Sequence, residues 1–360
     1  MKQILLLGGG IIGEMIADLL ASSGDYTVTV ADNSKKNLEK FSGQKNVETL
    51  VLDFSKSADV IKAMAGQFAA LSAAPYQFNG DLATAAKKAG VHYLDLTEDV
   101  KSTKLVKDLA KDANSAFIPQ CGLAPGFISI VAFGLAQRFD SLRDVRLRVG
   151  ALAQFPSNAL KYNLTWSTDG LINEYIKPCE ALINGEMKEV PALEGLETFT
   201  LDGVEYEAFN TSGGIGTLAE TLNGSVRNLN YRTVRYPGHR DIIKLLIQDL
   251  RLGERPELLK EIFEYAIPAT KQDLVLIYVT ITGEKEGRLM QETYTNKIYA
   301  REINGEIRSA IQITTASAIC AVLDLLAAGK IKDKGLVRQE DISFDDFITN
   351  RFGANFAAQS

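Results

Sequence analysis

The sequence predicts an α/β chain in which a doubly wound parallel sheet is followed by a second, mixed-sheet α+β domain. Three observations carry this. An apolar strand pattern, Leu5-Leu6-Leu7, runs directly into Gly8-Gly9-Gly10-Ile11-Ile12-Gly13. Strand and helix patterns then alternate with short connections over the first 120 residues, as a parallel sheet requires. After Cys121 the texture changes to long strands separated by Asn-Gly and Asp-Gly pairs, whose residues tolerate the positive φ of tight hairpin turns.

The first element is the strand that ends at Gly8, followed by a helix with apolar positions Met15, Ile16, Leu19 and Leu20. A second strand, Tyr26 to Ala31, ends at Asp32, 19 residues after Gly13. Helix, strand (Val47–Asp53), helix (Val60, Ile61, Met64), strand (Phe68–Ala73), helix (Asp81–Ala89), strand (Val91–Leu96), helix (Lys101–Ala113) and strand (Ala116–Pro119) complete the first half. Leu123–Phe139 reads as a helix entered through Pro125-Gly126. Val145–Val149, Val226–Tyr236, Asp273–Thr282 and Gln291–Ile303 read as strands of the second sheet, with hairpin turns at Asn184-Gly185, Asp202-Gly203 and Asn304-Gly305. The helical run Thr314–Ala328 has the texture of the first half again. The expected division is therefore 1–121, 122–310 and a return to the first domain over 311–360.

The 360 residues allow two well-filled cores, and 46% hydrophobic with 23% charged residues is ordinary for a globular protein. A net charge of −6 argues against a nucleic-acid partner. Three scattered cysteines and two histidines give neither a disulfide framework nor a metal site. The N-terminal apolar run is broken by glycines, unlike a signal peptide. No apolar stretch approaches the ~20 residues of a membrane span. The expectation is a cytoplasmic protein without a membrane partner.

G-x-G-x-x-G after a strand and before a helix is the phosphate-binding turn of a Rossmann-type sheet. Gly8 permits the turn, Gly10 lets backbone approach a pyrophosphate, and Gly13 lets helix and strand pack closely. The helix N-terminus, with Ile11 and Ile12 in its first turn, then faces the phosphates. Asp32 is placed to accept from the adenosine ribose and to repel a 2′-phosphate, which favours NAD, although Lys35 and Lys36 leave NADP possible. Ligands of such sheets sit beyond the carboxyl ends of the strands. That brings Asp53, Ala73-Ala74-Pro75-Tyr76, Thr97-Glu98 and Cys121 to one mouth. Asp53 reads equally as an adenine neighbour or a helix cap. Gly122 and Gly126 let backbone approach a ligand or simply join strand to helix. Cys121 reads more readily as a small buried hydrophobe than as a reactive thiol.

Two later segments carry polar chemistry. Thr211-Ser212-Gly213-Gly214 enters a helix and either presents hydroxyls and amides to a carboxylate or forms a flexible interdomain loop. Arg235 and His239 flank the Pro237-Gly238 turn. An arginine offers a planar fork to a carboxylate, and a histidine moves protons near neutral pH. Either residue can equally be structural.

With these residues in view, the chain resembles the saccharopine dehydrogenase and lysine 6-dehydrogenase superfamily over nearly its full length. The resemblance rests on Gly8–Gly13 with Asp32, on Gly122–Gly126, and on Tyr162-Asn163-Leu164-Thr165-Trp166-Ser167. It also rests on Glu207-Ala208-Phe209-Asn210-Thr211-Ser212-Gly213-Gly214 and Arg235-Tyr236-Pro237-Gly238-His239. It implies an NAD(P)-binding lobe, a sheet-rich substrate and dimerisation lobe forming a homodimer, and oxidation of a carbon–nitrogen bond at the lysine side-chain terminus. Under it, the nicotinamide projects toward Ala74, Pro75, Tyr76 and the Cys121–Gly126 turn. His239 is the expected general base, Arg235 holds the α-carboxylate, and Tyr162, Ser167, Thr211 and Ser212 line the pocket. Glutamate-forming saccharopine dehydrogenases carry Asp where this chain has Ala124, and an aromatic residue where it has His239. Lysine 6-dehydrogenases are similar to this chain at both places, so free lysine is the expected substrate and saccharopine the alternative. A non-catalytic NAD-sensing protein and a reductase forming secondary amines are the remaining readings.

Overall fold

The computed structural model describes residues 1–357. The chain divides into two units, Met1–Ile130 with Gln312–Ala357, and Val131–Ile311.

The first unit is built on strands β1 (Lys2–Leu7), β2 (Tyr26–Asp32), β3 (Val47–Val51), β4 (Ala69–Ser72), β5 (His92–Asp95) and β6 (Ala116–Ile118). They alternate with helices α1 (Ile11–Ser22), α2 (Lys35–Glu39), α3 (Ser57–Met64), α4 (Asn79–Ala89) and α5 (Val100–Ala110), and α6 (Phe127–Ala136) follows β6. Every pairing is parallel, in the order β6-β5-β4-β1-β2-β3. The sheet reverses its winding between β1 and β4, which puts the glycine turn and the Ala73-Ala74 connection side by side. Central β1 and β4 are buried on both faces: Ile4–Leu7 and Ala69–Leu71 are solvent-free. That is why they read as continuous apolar runs rather than alternating ones.

The second unit contains β7 (Ser141–Ala153), α7 (Thr168–Ile176), β8 (Cys179–Ile183), β9 (Glu186–Val190), β10 (Glu197–Leu201) and β11 (Val204–Phe209). It continues with α8 (Leu218–Thr221), β12 (Val226–Arg235), α9 (His239–Lys244), α10 (Pro256–Ala266), β13 (Asp273–Lys285), β14 (Arg288–Tyr299), β15 (Arg301–Ile303) and β16 (Glu306–Arg308). The sheet runs β10-β11-β12-β7-β13-β14, with one parallel pair, β12 on β7. One face of it carries a core with Tyr162, Leu171, Tyr175, Phe209, Ile243 and Phe263. The opposite face carries Leu152, Tyr206, Val234, Leu274 and Leu276. The expected Asn184-Gly185, Asp202-Gly203 and Asn304-Gly305 turns are present, each with both residues at positive φ. A fourth such turn, Glu286-Gly287, joins β13 to β14. Glutamate is not among the residues that announce a left-handed turn, so the sequence reading stops both strands short of it.

The chain then enters α11 (Ala310–Ala327), β17 (Gly335–Leu336) and α12 (Phe344–Thr349). β17 adds a seventh parallel strand beside β6; two residues give no periodicity to detect. α11 corrects the membrane reading in one respect. Its 18 residues, with mean hydropathy 1.7, are long and apolar enough to cross a membrane by composition, yet 78% of that stretch is buried within the fold. Asp324 near its end accepts a hydrogen bond from the Tyr26 hydroxyl at 2.7 Å.

Candidate functional site

The glycine turn has the shape that a pyrophosphate needs. Gly8 sits at φ +107°, and a Cβ there would lie 2.6 Å from the Ala73 carbonyl oxygen. A Cβ on Gly13 would lie 2.0 Å from the Gly8 carbonyl oxygen, so α1 packs on its own entry turn only because residue 13 has no side chain. A Cβ on Gly10 would meet nothing within 4 Å. The three glycines therefore do different things: two close the packing, and the third keeps open the space in front of the α1 N-terminus. Ile11 is exposed at that end, and the Ile11, Ile12 and Gly13 N–H groups belong to the first helical turn, which lacks intrahelical acceptors. These residues fit a dinucleotide.

Asp32 is buried at the end of β2. One carboxylate oxygen accepts from the Gly9 N–H at 2.8 Å and the Asn37 amide at 3.3 Å, and the other from the Ser34 N–H at 2.8 Å. Asp32 thus braces the glycine turn as well as closing β2. Ala74, Pro75 and Tyr76 lie after β4, with Pro75 exposed and Tyr76 half-buried. Asp53 is exposed; it accepts from the Ser55 hydroxyl at 2.7 Å and the Ser55 N–H at 3.0 Å, which hold its carboxyl below the usual carboxylate range. It forms a turn ahead of α3 rather than a helix cap, since the capping position is Lys56.

Cys121 departs from the expected cofactor contact. Its thiol is fully buried, 3.0 Å from the Ile118 carbonyl and 3.3 Å from the Gln339 amide. Its N–H is spent on the Asp95 carbonyl at 2.7 Å. Burial pushes the thiol well up, so Cys121 is an internal packing residue. Gly122 and Gly126 close a tight loop, where a Cβ on Gly126 would lie 2.0 Å from the Gly122 carbonyl oxygen. Nearby in sequence, Glu98 follows β5; burial, with Asp99 and Asp95 adding to it, pushes its carboxyl up to about 7.

In the second unit the structure gathers Arg235, Tyr162, Tyr175 and His239. Arg235 ends β12 and is 2% exposed. Its Nε donates to the Tyr175 hydroxyl oxygen at 3.1 Å, and its Nη1 to Thr233 Oγ1 and the Val234 carbonyl, both at 2.9 Å. Its guanidinium lies 5.1 Å from the Tyr162 ring centre. Among the described residues no carboxylate reaches ion-pair distance of it. The Thr211 hydroxyl is buried without a hydrogen-bond partner, and the buried Tyr162 hydroxyl has Thr165 and Trp166 beside it. Ser212 is buried too, its N–H bonded to the Glu174 carbonyl at 3.0 Å.

His239 does not fit the role of general base. It is 1% exposed, with Nδ1 2.8 Å from the Leu160 carbonyl oxygen and Nε2 3.0 Å from the Tyr175 hydroxyl. A carbonyl only accepts, so Nδ1 carries the proton and Nε2 accepts from Tyr175. Burial, and then the Arg235 charge, push its pKa down to about 3. The lone pair that a base would use is already taken. Ser167 is also displaced from its expected place: it is exposed, and its hydroxyl caps α7 by accepting from the Gly170 N–H at 3.2 Å. Arg232 and Arg240 are committed to Glu197 and Glu194.

Sequence reasoning assigned no role to Tyr175, because a tyrosine in an amphipathic helix looks like core. It also gave none to Glu207. The buried Glu207 carboxylate accepts from the Gly238 N–H at 2.8 Å and the Arg240 N–H at 2.7 Å. It thereby pins the turn that starts α9 and sets His239.

A Rossmann-type unit with an open glycine turn, joined to a sheet unit holding a buried arginine without an ion pair at contact distance, defines an NAD(P)-binding protein of the dehydrogenase type. The chain belongs to the saccharopine dehydrogenase family: residues 4–118 match the saccharopine dehydrogenase NADP binding domain, and residues 122–355 the saccharopine dehydrogenase C-terminal domain. Relatives include the mitochondrial alpha-aminoadipic semialdehyde synthase of Bos taurus, 22% identical over 82% of this chain and 33% of that protein. Saccharopine dehydrogenase [NADP(+), L-glutamate-forming] of Schizosaccharomyces pombe is 22% identical over 75% of this chain and 62% of that one. The chain thus spans about a third of the length of the first of these and under two thirds of the second. Among solved structures, the apo saccharopine dehydrogenase (L-Glu forming) of Saccharomyces cerevisiae superposes with a TM-score of 0.76 at 16% identity, covering 99% of this chain and 96% of that one. Homospermidine synthase from Legionella pneumophila, in complex with NAD, gives 0.68 at 13%, covering 99% and 90%. These likenesses bear out the fold.

Proposed function

We propose that this protein is an NAD(P)-dependent oxidoreductase that oxidises the terminal carbon–nitrogen bond of lysine, releasing the 6-semialdehyde and ammonia. The observation that carries the substrate reading is the buried Arg235. A guanidinium hydrogen-bonded by neutral partners, with Glu174 acting on it only through space and the unpaired Thr211 hydroxyl in the same unit, suits one carboxylate with a hydrogen-bonding surround. Saccharopine has three carboxylates, and the other arginines flanking that turn, Arg232 and Arg240, are already paired. Ala124 also leaves no carboxylate in the Gly122–Gly126 loop.

In this reading the bound nicotinamide supplies the hydride acceptor. Gly8–Gly13 and Asp32 hold the dinucleotide, and Arg235 fixes the α-carboxylate. Tyr175 and His239 act as positioning residues for Arg235. The ε-amine must shed its proton before carbon ε can release hydride. Glu98, which titrates near neutrality at the carboxyl edge of the parallel sheet, supports the proton-accepting role. Water then converts the iminium to semialdehyde and ammonia. A homodimer through the sheet unit accompanies this reading.

The test is a substrate panel following reduced cofactor, with product assays. Lysine-dependent formation of NADH and ammonia is expected. Glutamate from saccharopine, with no ammonia from lysine, makes the protein a saccharopine dehydrogenase instead; tight cofactor binding without turnover of either makes it a sensor.

A further inference from the structure

On the sheet face opposite Arg235, β7, β12 and the β8–β9 hairpin enclose a cavity of about 260 Å³. Its lining includes Arg146, Asn230, Asp144 and Arg232, with Ala181 and Ile183 on the apolar side. The parallel register sets Asn230 beside Arg146 and Asn228 beside Asp144. These residues alternate along their strands with Val145, Leu147, Leu229 and Tyr231, so the two-residue period separates this cavity from the Arg235 cluster.

The charges around it do not balance. Arg148 and Arg232 share the Glu197 carboxylate. Asp144 accepts from the Asn228 amide at 2.7 Å and lies 3.5 Å from Arg143 Nε. Arg146, exposed at the rim, makes no hydrogen bond or ion pair among the described residues. Beside it, Asn230 Oδ1 is buried and accepts from nothing. A buried amide oxygen left unpaired is costly, and a donor would recover that cost. An unpaired guanidinium next to an unpaired buried acceptor calls for a carboxylate with an N–H donor close to it.

We propose that this cavity is a second small-molecule site, which binds a free α-amino acid with an aliphatic side chain. The carboxylate meets Arg146, the α-ammonium donates to Asn230 Oδ1, and the side chain lies against Ala181 and Ile183. The volume is just below the usual range for drug-sized ligands, which matches a small metabolite. This site stands independently of the proposed lysine chemistry.

Titration calorimetry on the full chain tests it, with L-leucine as probe and 4-methylpentanoate as the same skeleton lacking the ammonium. Saturable 1:1 binding of leucine is expected, with 4-methylpentanoate weaker by about tenfold or more, the worth of one charged hydrogen bond. Arg146→Ala and Asn230→Leu should each weaken leucine by a similar factor without changing melting temperature or NAD binding. Arg235→Ala should leave it intact. Leucine binding that vanishes in Arg235→Ala, survives Arg146→Ala and Asn230→Leu, or is not saturable at millimolar concentration overturns the proposal.

Discussion

The Tyr175 hydroxyl joins Arg235 to His239: its oxygen lies 3.1 Å from Arg235 Nε and 3.0 Å from His239 Nε2. The proton order along this chain is fixed from its far end, where the Leu160 carbonyl can only accept. His239 therefore donates to Leu160, Tyr175 donates to His239, and Arg235 donates to Tyr175. A neutral histidine thus sets the direction in which a buried cation points.

Tyr175→Phe removes the middle link and leaves the ring packing in place. A hydrogen bond to a charged group is worth ~1.5–3 kcal/mol, so the KM for lysine should rise about tenfold or more, with kcat changing less. Steady-state kinetics at saturating cofactor read this. Equal losses in kcat and kcat/KM would place Tyr175 in the chemical step instead.

His239 also leaves a signature in stability. Its pKa falls from 6.5 unfolded to about 3 folded, so between those values the unfolded chain binds more protons. Its contribution is complete above pH 6.5 and is lost as pH falls toward 3. Asp95 and Asp273, raised from 3.8 to about 6 by burial, and Glu98, raised from 4.5 to about 7, act in the opposite sense, losing stability as pH rises through the same window. In His239→Gln its share of the rising slope is gone, while that of His92, which burial also lowers, and the opposing slopes remain. The melting temperature of wild type minus variant should therefore climb from pH 4 to 6.5 and level off above it. A constant difference would mean that His239 is not held neutral.

Glu98→Gln should lower kcat/KM for lysine by roughly a hundredfold, the usual scale for losing a general base. It should also remove the rise of wild-type activity with pH through about 7. A pH–rate profile with an unchanged ascending limb would take Glu98 out of the proton transfer.

Asp32→Ala deletes the acceptor of the buried Gly9 N–H and the charge that opposes a 2′-phosphate. NAD affinity should fall by about tenfold or more, at ~1.4 kcal/mol per tenfold, and NADP affinity by less. Fluorescence titration of the reduced cofactors gives both constants. An unchanged ratio would leave Asp32 as a brace of the turn alone.

Much of the dinucleotide unit was legible because its signals are local. Gly8, Gly10 and Gly13 are a backbone requirement written in consecutive positions, and the β1 and β4 runs are apolar because both faces are covered. The substrate unit was legible in its strands and its Asn-Gly and Asp-Gly turns. Its polar centre was not. Tyr175 and His239 come from helices 64 positions apart in sequence, and whether a histidine is a base or a buried link depends on what occupies its second nitrogen. Cys121 and Ser167 show the same limit. A thiol at a strand end and a hydroxyl in a polar segment look available until the Gln339 amide and the Gly170 N–H are seen to claim them.

The discontinuous first unit has a consequence for how the protein is made. Its sheet gains its outer strand β17 and its α11 support only from residues beyond 311. At ~5–20 residues per second, the intervening unit keeps the ribosome occupied for roughly ten to forty seconds. During that interval the nascent chain carries an unpaired β6 edge, and Tyr26 lacks its Asp324 acceptor. Strand edges of this kind invite pairing with other chains. The yield of active protein should therefore depend on chaperones that shelter the emerging N-terminal segment, more than the stability of the finished fold would suggest.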